Sequence, residues 1–486
     1  MSDMGLSIAA SGLVADTLQL DTASNNLSNV NTPGYAAEQV NLSPEAAAGP
    51  LGAGQGVLVS SVSRLNDAVF FAANLQAQGI NSAAKQSSQV MQSIENIFPE
   101  PSSTGLQSQL SALWSDLSTL ASNPNQAGAQ QAVVSAAQSV STSITGSYQQ
   151  LGQLSSSLQA QVGTGAGDGG MLAQVNSLLS QVAQLNSAIA AGSAGGSNPN
   201  SLQDQVASAV TKLGGLIGVS STTGANGTTN VYLDGIQLVA GNVAQSLVAT
   251  GSAATANFSV QTSGGAPVDS KGQIGAILYA VNNTIPSYVN SLNSVADSLA
   301  TKLNTLQANG MDSNGDPGSA IAPAGYTGTI LPNIFVNNGS STSYTVSSST
   351  INSAASIAVS PQLLKNTSLI ATASAPSSSN SNVIGTPTLD GSNAQAMAAV
   401  GSSSNGPDAL YQTMIGALGT QAANASSHAS TAANLASAAS SNLTSITGVN
   451  VNQEEMNILS YQNNFQAVTR VVSAISNSMQ SLIQAV

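Results

Sequence analysis

The stretch from Ile458 to Val486, ILSYQNNFQAVTRVVSAISNSMQSLIQAV, decides the fold. Ile458, Tyr461, Phe465, Val468, Val472, Ile475, Met479, Leu482 and Val486 follow one another in steps of three and four without a fault. That alternation is a heptad seam, one apolar stripe along a helix. The first thirty residues carry it too, at Leu6, Ala9, Leu13, Leu20, Ala23, Leu27 and Val30, with Asp16 as its one polar member. Leucines seven apart with alanines between them suit a slender, closely approaching pair. Neither helix has a partner in its own neighbourhood of the chain, and a lone amphipathic helix is poorly stable in water. The economical arrangement is a coiled coil of the first helix with the last. The flanks of the C-terminal seam, among them Asn457, Gln462, Asn464, Thr469 and Ser476, are uncharged, which leaves register to shape and lateral packing. Two arrangements fit the periodicity: a hairpin closed inside a monomeric core, and a seam that takes neighbours.

Scarcity of charge extends to the whole chain. Among 486 residues there are 7 Lys or Arg and 20 Asp or Glu, a net charge of -13, and charged residues total 6% where an ordinary soluble domain has about 25%. Hydrophobic residues still make up 42%, which is not the composition of a disordered chain. The surface must be wetted by hydroxyls and amides. Seven scattered cations leave no footprint for phosphate backbones or anionic lipid, so no nucleic-acid partner is expected. There is no cysteine and a single histidine, His428, which removes disulfides, thiolate metal sites, most zinc chemistry and Ser-His-Asp triads. Neither enzymatic activity nor a cofactor is expected. The first residues lack a basic, apolar leader pattern, and no run of about 18 apolar residues occurs, so the chain reads as neither Sec-exported nor inserted in a membrane.

Between the ends, breakers divide the chain. Asp67 to Phe98 reads as helix up to Pro99, Gly105 to Ala121 ends at Asn123 and Pro124, and Asn125 to Val162 runs into a glycine-rich stretch. Near Leu216 the pattern changes to Val219, Val231, Tyr232, Leu233, Ile236, Leu238 and Val239 with glycine-containing turns, a hairpin signature. Gly272 to Asn309 returns to helix, broken or kinked at Pro286; Ile330 to Val359 is strand-like, Ser374 to Pro387 reads as a loop, and Asp408 to Leu443 is a final long helix. The expected fold is mainly α with a β-rich outer module in a discontinuous multidomain chain. Its expected parts are a terminal assembly domain (1–60 with 445–486), a helical-bundle stem (61–215 with 400–444) and β-rich outer domains (216–399) with a helical segment near 272–309.

The N-terminal residues Ser11, Gly12 and Leu13, then Thr22 through Tyr35 (TASNNLSNVNTPGY), resemble the signature of the flagellar axial proteins, the rod, hook and hook-associated subunits. Gly448 to Met456 (GVNVNQEEM), Leu459 to Ala467 and Arg470 to Val472 are similar to the matching C-terminal motif. Gly54 to Val59, Arg64 to Asp67, and Leu110 to Leu117 followed by Leu120 to Pro124 are similar to the hook-associated branch, with weaker echoes at Gly310 to Gly318 and Ile351 to Pro361. None of these similar blocks falls within residues 163–261. Ala36, Ala37, Glu38 and Gln39 stand where the family carries a Ser-Arg-Gln type run, and Asn125 and Gln130 replace an acidic residue and an arginine.

The resemblance implies a structural protein, secreted unfolded through the type III flagellar export apparatus after a transient cytoplasmic stage, that assembles with itself as a ring at the distal end of the hook. Implied partners are the hook subunit, a second junction protein and the filament, and an export chaperone that shields the C-terminal helix. The implied assembly interface is the terminal seam: Leu6, Leu13, Leu20, Leu27 and Val30 with Ile458, Tyr461, Phe465, Val468, Val472, Ile475, Met479 and Leu482. Another axial subunit of hook or rod type, or a flagellar scaffold carrying a surface-binding insertion, is the alternative.

Other motifs carry less chemistry. Residues 165–170 spell G-x-G-x-x-G but follow a polar helix and not a strand. Asp312, Asn314 and Asp316 match the first positions of a calcium loop, yet Pro317 and Pro323 occupy its glycine and glutamate positions. Ser82 and Lys85 make S-x-x-K without the accompanying motifs, Glu454 and Glu455 are adjacent and suit a helix N-terminus, and His428 lies in a Ser/Ala-rich helix.

Overall fold

The computed structural model describes residues 2–32, 34–46, 54–164, 169–195, 199–251, 257–338, 340, 353–375 and 384–485. The fold is 65% helical with small antiparallel sheets inserted. Helix α1 (Ser2–Ser28) is followed by a hairpin, β1 (Glu38–Pro44) and β2 (Val57–Arg64). Then come α2 (Ala68–Ile97), α3 (Leu106–Ser122), α4 (Ala127–Val162), α5 (Met171–Ala194) and α6 (Asn200–Ile217). Strands β3 (Ser220–Thr223), β4 (Thr229–Leu233), β5 (Ile236–Ala240) and β6 (Val243–Ala244) form one sheet in chain order, and β7 (Leu247–Thr250), β8 (Ser259–Thr262) and β9 (Pro267–Val268) a second. After α7 (Gly272–Tyr279) and α8 (Ile285–Ala308), β10 (Gly310–Met311), β11 (Phe335–Asn337), α9 (Ser353–Ser356), β12 (Ile357–Val359), α10 (Pro361–Lys365), β13 (Ala373–Ser374) and α11 (Ser392–Ala398) are short. β10 pairs with β13, and β11 with β12. The chain closes with α12 (Pro407–Thr447) and α13 (Val451–Ala485).

Local chemistry sets the helix ends. The Asp67 carboxylate accepts the N–H groups of Val69 (2.9 Å) and Phe70 (3.1 Å), starting α2. Gly218, at φ +74°, closes α6 in the left-handed conformation. The expected break at Pro286 is instead a single π-turn at Ala280–Thr284, which runs without interruption into α8. It lets the helix absorb a residue that cannot donate a backbone N–H.

Helices α2 and α12 lie along one another as the spine. Leu110, Leu113, Leu117 and Leu120 present the buried face of α3, and one apolar core runs continuously from Leu75 to Ala422, taking in Val231, Leu247, Ile274, Leu303 and Phe335. The core therefore has no break at residue 216 or 399. Helix α7 packs on α2 and α6, α8 on α12 and α4, and α11 on α3, so the helical segment near 272–309 lies against helices of residues 61–215 and 400–444. Its buried stripe, Leu292, Val295, Leu299 and Leu303, needs helices over it, which short strands cannot supply.

With so few charges, buried and half-buried amides fasten strands and adjoining segments to helices. Asn186 accepts the N–H of Thr229 (2.8 Å) and donates to the carbonyls of Thr229 and Gly241 (both 2.7 Å). The same clamp joins Asn176 to Leu247 (2.7 and 2.9 Å), Asn282 to Phe258 (3.0 and 2.7 Å) and Asn304 to Phe335 (2.9 and 2.8 Å). Each amide offers a backbone the donor and acceptor that a neighbouring strand would offer, and satisfies itself in doing so.

Candidate assembly interface

Helices α1 and α13 pack antiparallel. A Cβ placed on Gly5 would lie 3.4 Å from Ile475, and one on Gly12 would lie 3.9 Å from Val468. Seven residues along α1 are thus matched by seven back along α13. Fourteen further on, Asn26 Nδ2 donates to Glu454 Oε1 at 2.9 Å. The residues of α1 that the fold covers are Ala9, Ala15, Thr22, Ala23 and Asn26.

The expected seam is met differently on its two sides. On α13, Ile458, Tyr461, Val468, Val472, Ile475 and Met479 are half-buried, as one stripe facing α1, while Phe465 is exposed; the side chain of Leu482 lies outside the described residues. On α1, Leu13, Leu20 and Leu27 are only half-buried, and Leu6 and Val30 are exposed. The face nearest α13 is the glycine and alanine stripe lying about 100° round the helix from the leucines. The sequence carries a signal for it, since Gly5, Ala9 and Gly12, and then Ala23 and Asn26, keep three-and-four spacing. Ala9 and Ala23 belong to both stripes, and the leucines dominate the periodicity because small residues score low on hydrophobicity.

At the root of the pair the two terminal motifs meet. Asn26 is buried, and all four hydrogen-bonding positions of its amide are filled. Oδ1 accepts from the Glu38 N–H (2.9 Å) and the Tyr35 hydroxyl (2.7 Å), and Nδ2 donates to the Glu38 carbonyl (2.9 Å) as well as to Glu454. Ala37 N–H donates to the Thr447 carbonyl at 2.8 Å, tying the segment after α1 to the end of α12. Ala36 and Ala37 are both buried, so the departure from a polar run there is a packing requirement. Arg64, at the end of β2, pairs with Asp204 of α6, which also accepts the Ala36 N–H. Burial pushes the Asp204 carboxyl above the usual carboxylate range despite the guanidinium. Burial, and then the carboxylates of Glu38, Asp204 and Glu454, raise the Tyr35 hydroxyl far above its ordinary value. The hairpin rests on α1, where Ser11 Oγ accepts the Val57 N–H (3.2 Å).

Much apolar surface on this pair stays uncovered. Val14, Met456, Leu459, Val471 and Ile483 are exposed along with Leu6, Val30 and Phe465, a run of the kind that marks an interaction surface.

The other motifs assemble no reactive site. Residues 165–168 of the G-x-G-x-x-G lie outside the described residues. The Asp312 carboxylate is buried and occupied by its own turn, accepting N–H groups of Asn314 (2.9 Å) and Asp316 (2.8 Å). Lys85, Glu455 and His428 are exposed on helices, Ser82 and Glu454 half-buried. No cluster of three His, Cys, Asp or Glu residues able to hold a metal ion occurs among the described residues.

Residues 91–321 match the family model of the flagellar hook-associated protein FlgK helical domain, and residues 6–35 that of the flagella basal body rod protein. Over these residues the chain is similar to flagellar hook-associated and rod proteins. It is 29% identical over 330 residues to flagellar hook-associated protein 1 of Escherichia coli strain K12, covering 64% of this chain and 58% of that one. It is also 29% identical over 237 residues to the protein of that name from Bacillus subtilis strain 168, covering 46% and 45%. The match thus spans about half the length of these curated relatives. The flagellar hook junction protein FlgK from Burkholderia pseudomallei shares the fold, with a TM-score of 0.59 at 19% identity over 78% of this chain and all of that one. The rod-type match falls on α1 and the segment after it, and the helical-domain match begins inside α2 and runs past α8.

Proposed function

We propose that this chain is a structural subunit of the bacterial flagellum that joins hook to filament, assembling with copies of itself through α1 and α13. The observation that carries the reading is the terminal pair: it buries only alanines, one threonine and one asparagine on α1 while leaving Leu6, Val14, Leu459, Phe465 and Val471 exposed. One thin pair gains little from burial, and lateral neighbours covering both outer faces would stabilise it at assembly. Residues 1–60 with 445–486 form the assembly element in this reading, and the stem with its clamped β modules faces outward. Hook, filament and second-junction subunits are the expected neighbours. Secretion in an unfolded state, with a cytoplasmic chaperone holding the exposed face of α13 in a groove, would keep the pool monomeric before export. The test is a chain ended after Gly448, which lacks α13. Its stem should fold, and a strain carrying it should fail to build filaments; restored swimming would overturn the proposal.

A further inference from the structure

We propose that Asn26, through its bond to Glu454, is the positioning residue that fixes the register of α1 against α13. The contact between these helices is otherwise poor in register information. On α1 the closest approaches are at Gly5 and Gly12, too small to interlock deeply. On α13 the facing stripe follows a seven-residue repeat, Tyr461, Val468 and Ile475 in one row and Ile458, Val472 and Met479 in the other, where Phe465 between the first two is exposed. Sliding α13 by one heptad therefore replaces Val468 over Gly12 with Ile475 and keeps an apolar side chain over each small residue. What the slide changes is the far end: Asn26 comes opposite Tyr461, and its Nδ2 N–H loses the carboxylate.

Among the described residues, the Asn26–Glu454 hydrogen bond is the one joining a side chain of α1 to a side chain of α13. Asn26 is preorganised to make it. The clamp on Glu38 and the Tyr35 hydroxyl occupy its other three positions, so the remaining N–H has one direction, toward α13. A single buried amide that selects register at a smooth apolar interface is a device known from coiled coils. Here the partner is a carboxylate, which strengthens the bond. The proposal concerns the chain itself and holds whether or not the junction reading is correct.

The absence of cysteine makes register directly measurable by oxidation of introduced pairs. Gly12→Cys with Val468→Cys reports the observed register, and Gly12→Cys with Ile475→Cys a slip of one heptad, each read as the monomeric intramolecular disulfide of the full-length protein. In the native background the first pair should form at least about ten times faster than the second. Glu454→Ala leaves the Asn26, Glu38 and Tyr35 knot intact and removes only the cross-helix acceptor, so it should narrow that ratio about tenfold. Glu454→Gln keeps a carbonyl acceptor and should preserve most of it. An unchanged ratio in Glu454→Ala, equal loss in the Gln and Ala variants, or equal rates for the two cysteine pairs in the native background would each overturn the assignment.

Discussion

Removing the Asp408 carboxylate should loosen the stem where α3 meets the start of α12, and the single tryptophan of the chain, Trp114, reports on that point. The buried carboxylate accepts Trp114 Nε1 at 2.7 Å and Gln107 Nε2 at 3.0 Å. A hydrogen bond to a charged group contributes about 1.5–3 kcal/mol, but burial raises the carboxyl's pKa, so desolvation offsets part of the gross gain. A net loss of about 2–3 kcal/mol for Asp408→Ala follows, because two buried donors are left without an acceptor. Asp408→Asn differs: its Oδ1 still accepts from Trp114, and once the Gln107 amide turns over, its Nδ2 donates to Gln107 Oε1, which lacks a partner in the native chain. That exchange should cost under about 1 kcal/mol. Urea unfolding followed by Trp114 fluorescence measures both. With a slope of about 2 kcal/mol/M, the alanine variant should move the midpoint down by about 1–1.5 M and the asparagine variant by under about 0.5 M. The midpoint belongs to the cooperative unit around α3, α11 and α12, since a chain of this size need not unfold in one step. A midpoint for Asp408→Ala within about 0.3 M of native, or equal shifts for the two variants, would refute the reasoning.

Close helix approach gives a second contrast: a Cβ on Gly79 of α2 would lie 3.0 Å from the Gly214 carbonyl of α6, whereas one on Gly146 of α4 meets nothing within 4 Å. Thermal melts should show Gly79→Ala destabilised by about 1–3 kcal/mol and Gly146→Ala stabilised by about 0.5–1 kcal/mol; a neutral Gly79→Ala would mean that α2 and α6 do not touch there. Burial raises the carboxyl groups of Asp204 and Asp312, so the folded chain holds these protons to higher pH than the unfolded one. Their effect on stability is therefore largest in acid, falls as pH rises from the ordinary carboxylate value through the raised ones, and is level above them. Asp312→Asn should flatten that slope, and a variant whose stability still falls as steeply as the native chain's over this window would contradict it. Polymers held by uncharged seams should survive a change from low to high salt almost unchanged in sedimentation, and their wholesale loss at high salt would point to ion pairs as the glue.

The sequence made the terminal pair, the long helices of the stem and the positions of the β modules legible, because each rests on a local period: three and four for α13 and α3, two for the run around Val231 and Val239. Grouping into parts was less legible. Residues 272–308 lie between β segments in the chain and were grouped with them, yet their apolar stripe is covered by α4 and α12, a long-range fact with no local trace. The amide clamps were equally invisible, since Asn176, Asn186, Asn282 and Asn304 look like any other asparagine in a chain rich in them. At the root of the termini the sequence identified Asn26, Tyr35 and Glu454 as motif members without showing that they meet. The meeting depends on the antiparallel register, which spacing alone does not encode.

The packing of α1 bears on the proposed function. Its heptads were legible as a periodicity, but two stripes with that period run down the helix, one of leucines and one of glycine and alanine. A helix that carries Tyr461, Val468 and Ile475 approaches most closely where its partner is thin, since bulk on both sides would hold the backbones apart and leave gaps. The pair within the chain therefore takes the small stripe, and the leucines are left half covered. A helix packed once would need no second apolar stripe, and water penalises one that stays bare. Under the proposed function, the excess of apolar period over what α13 covers is the surface that further neighbours would take, and a helix closed in a hairpin would have no use for it.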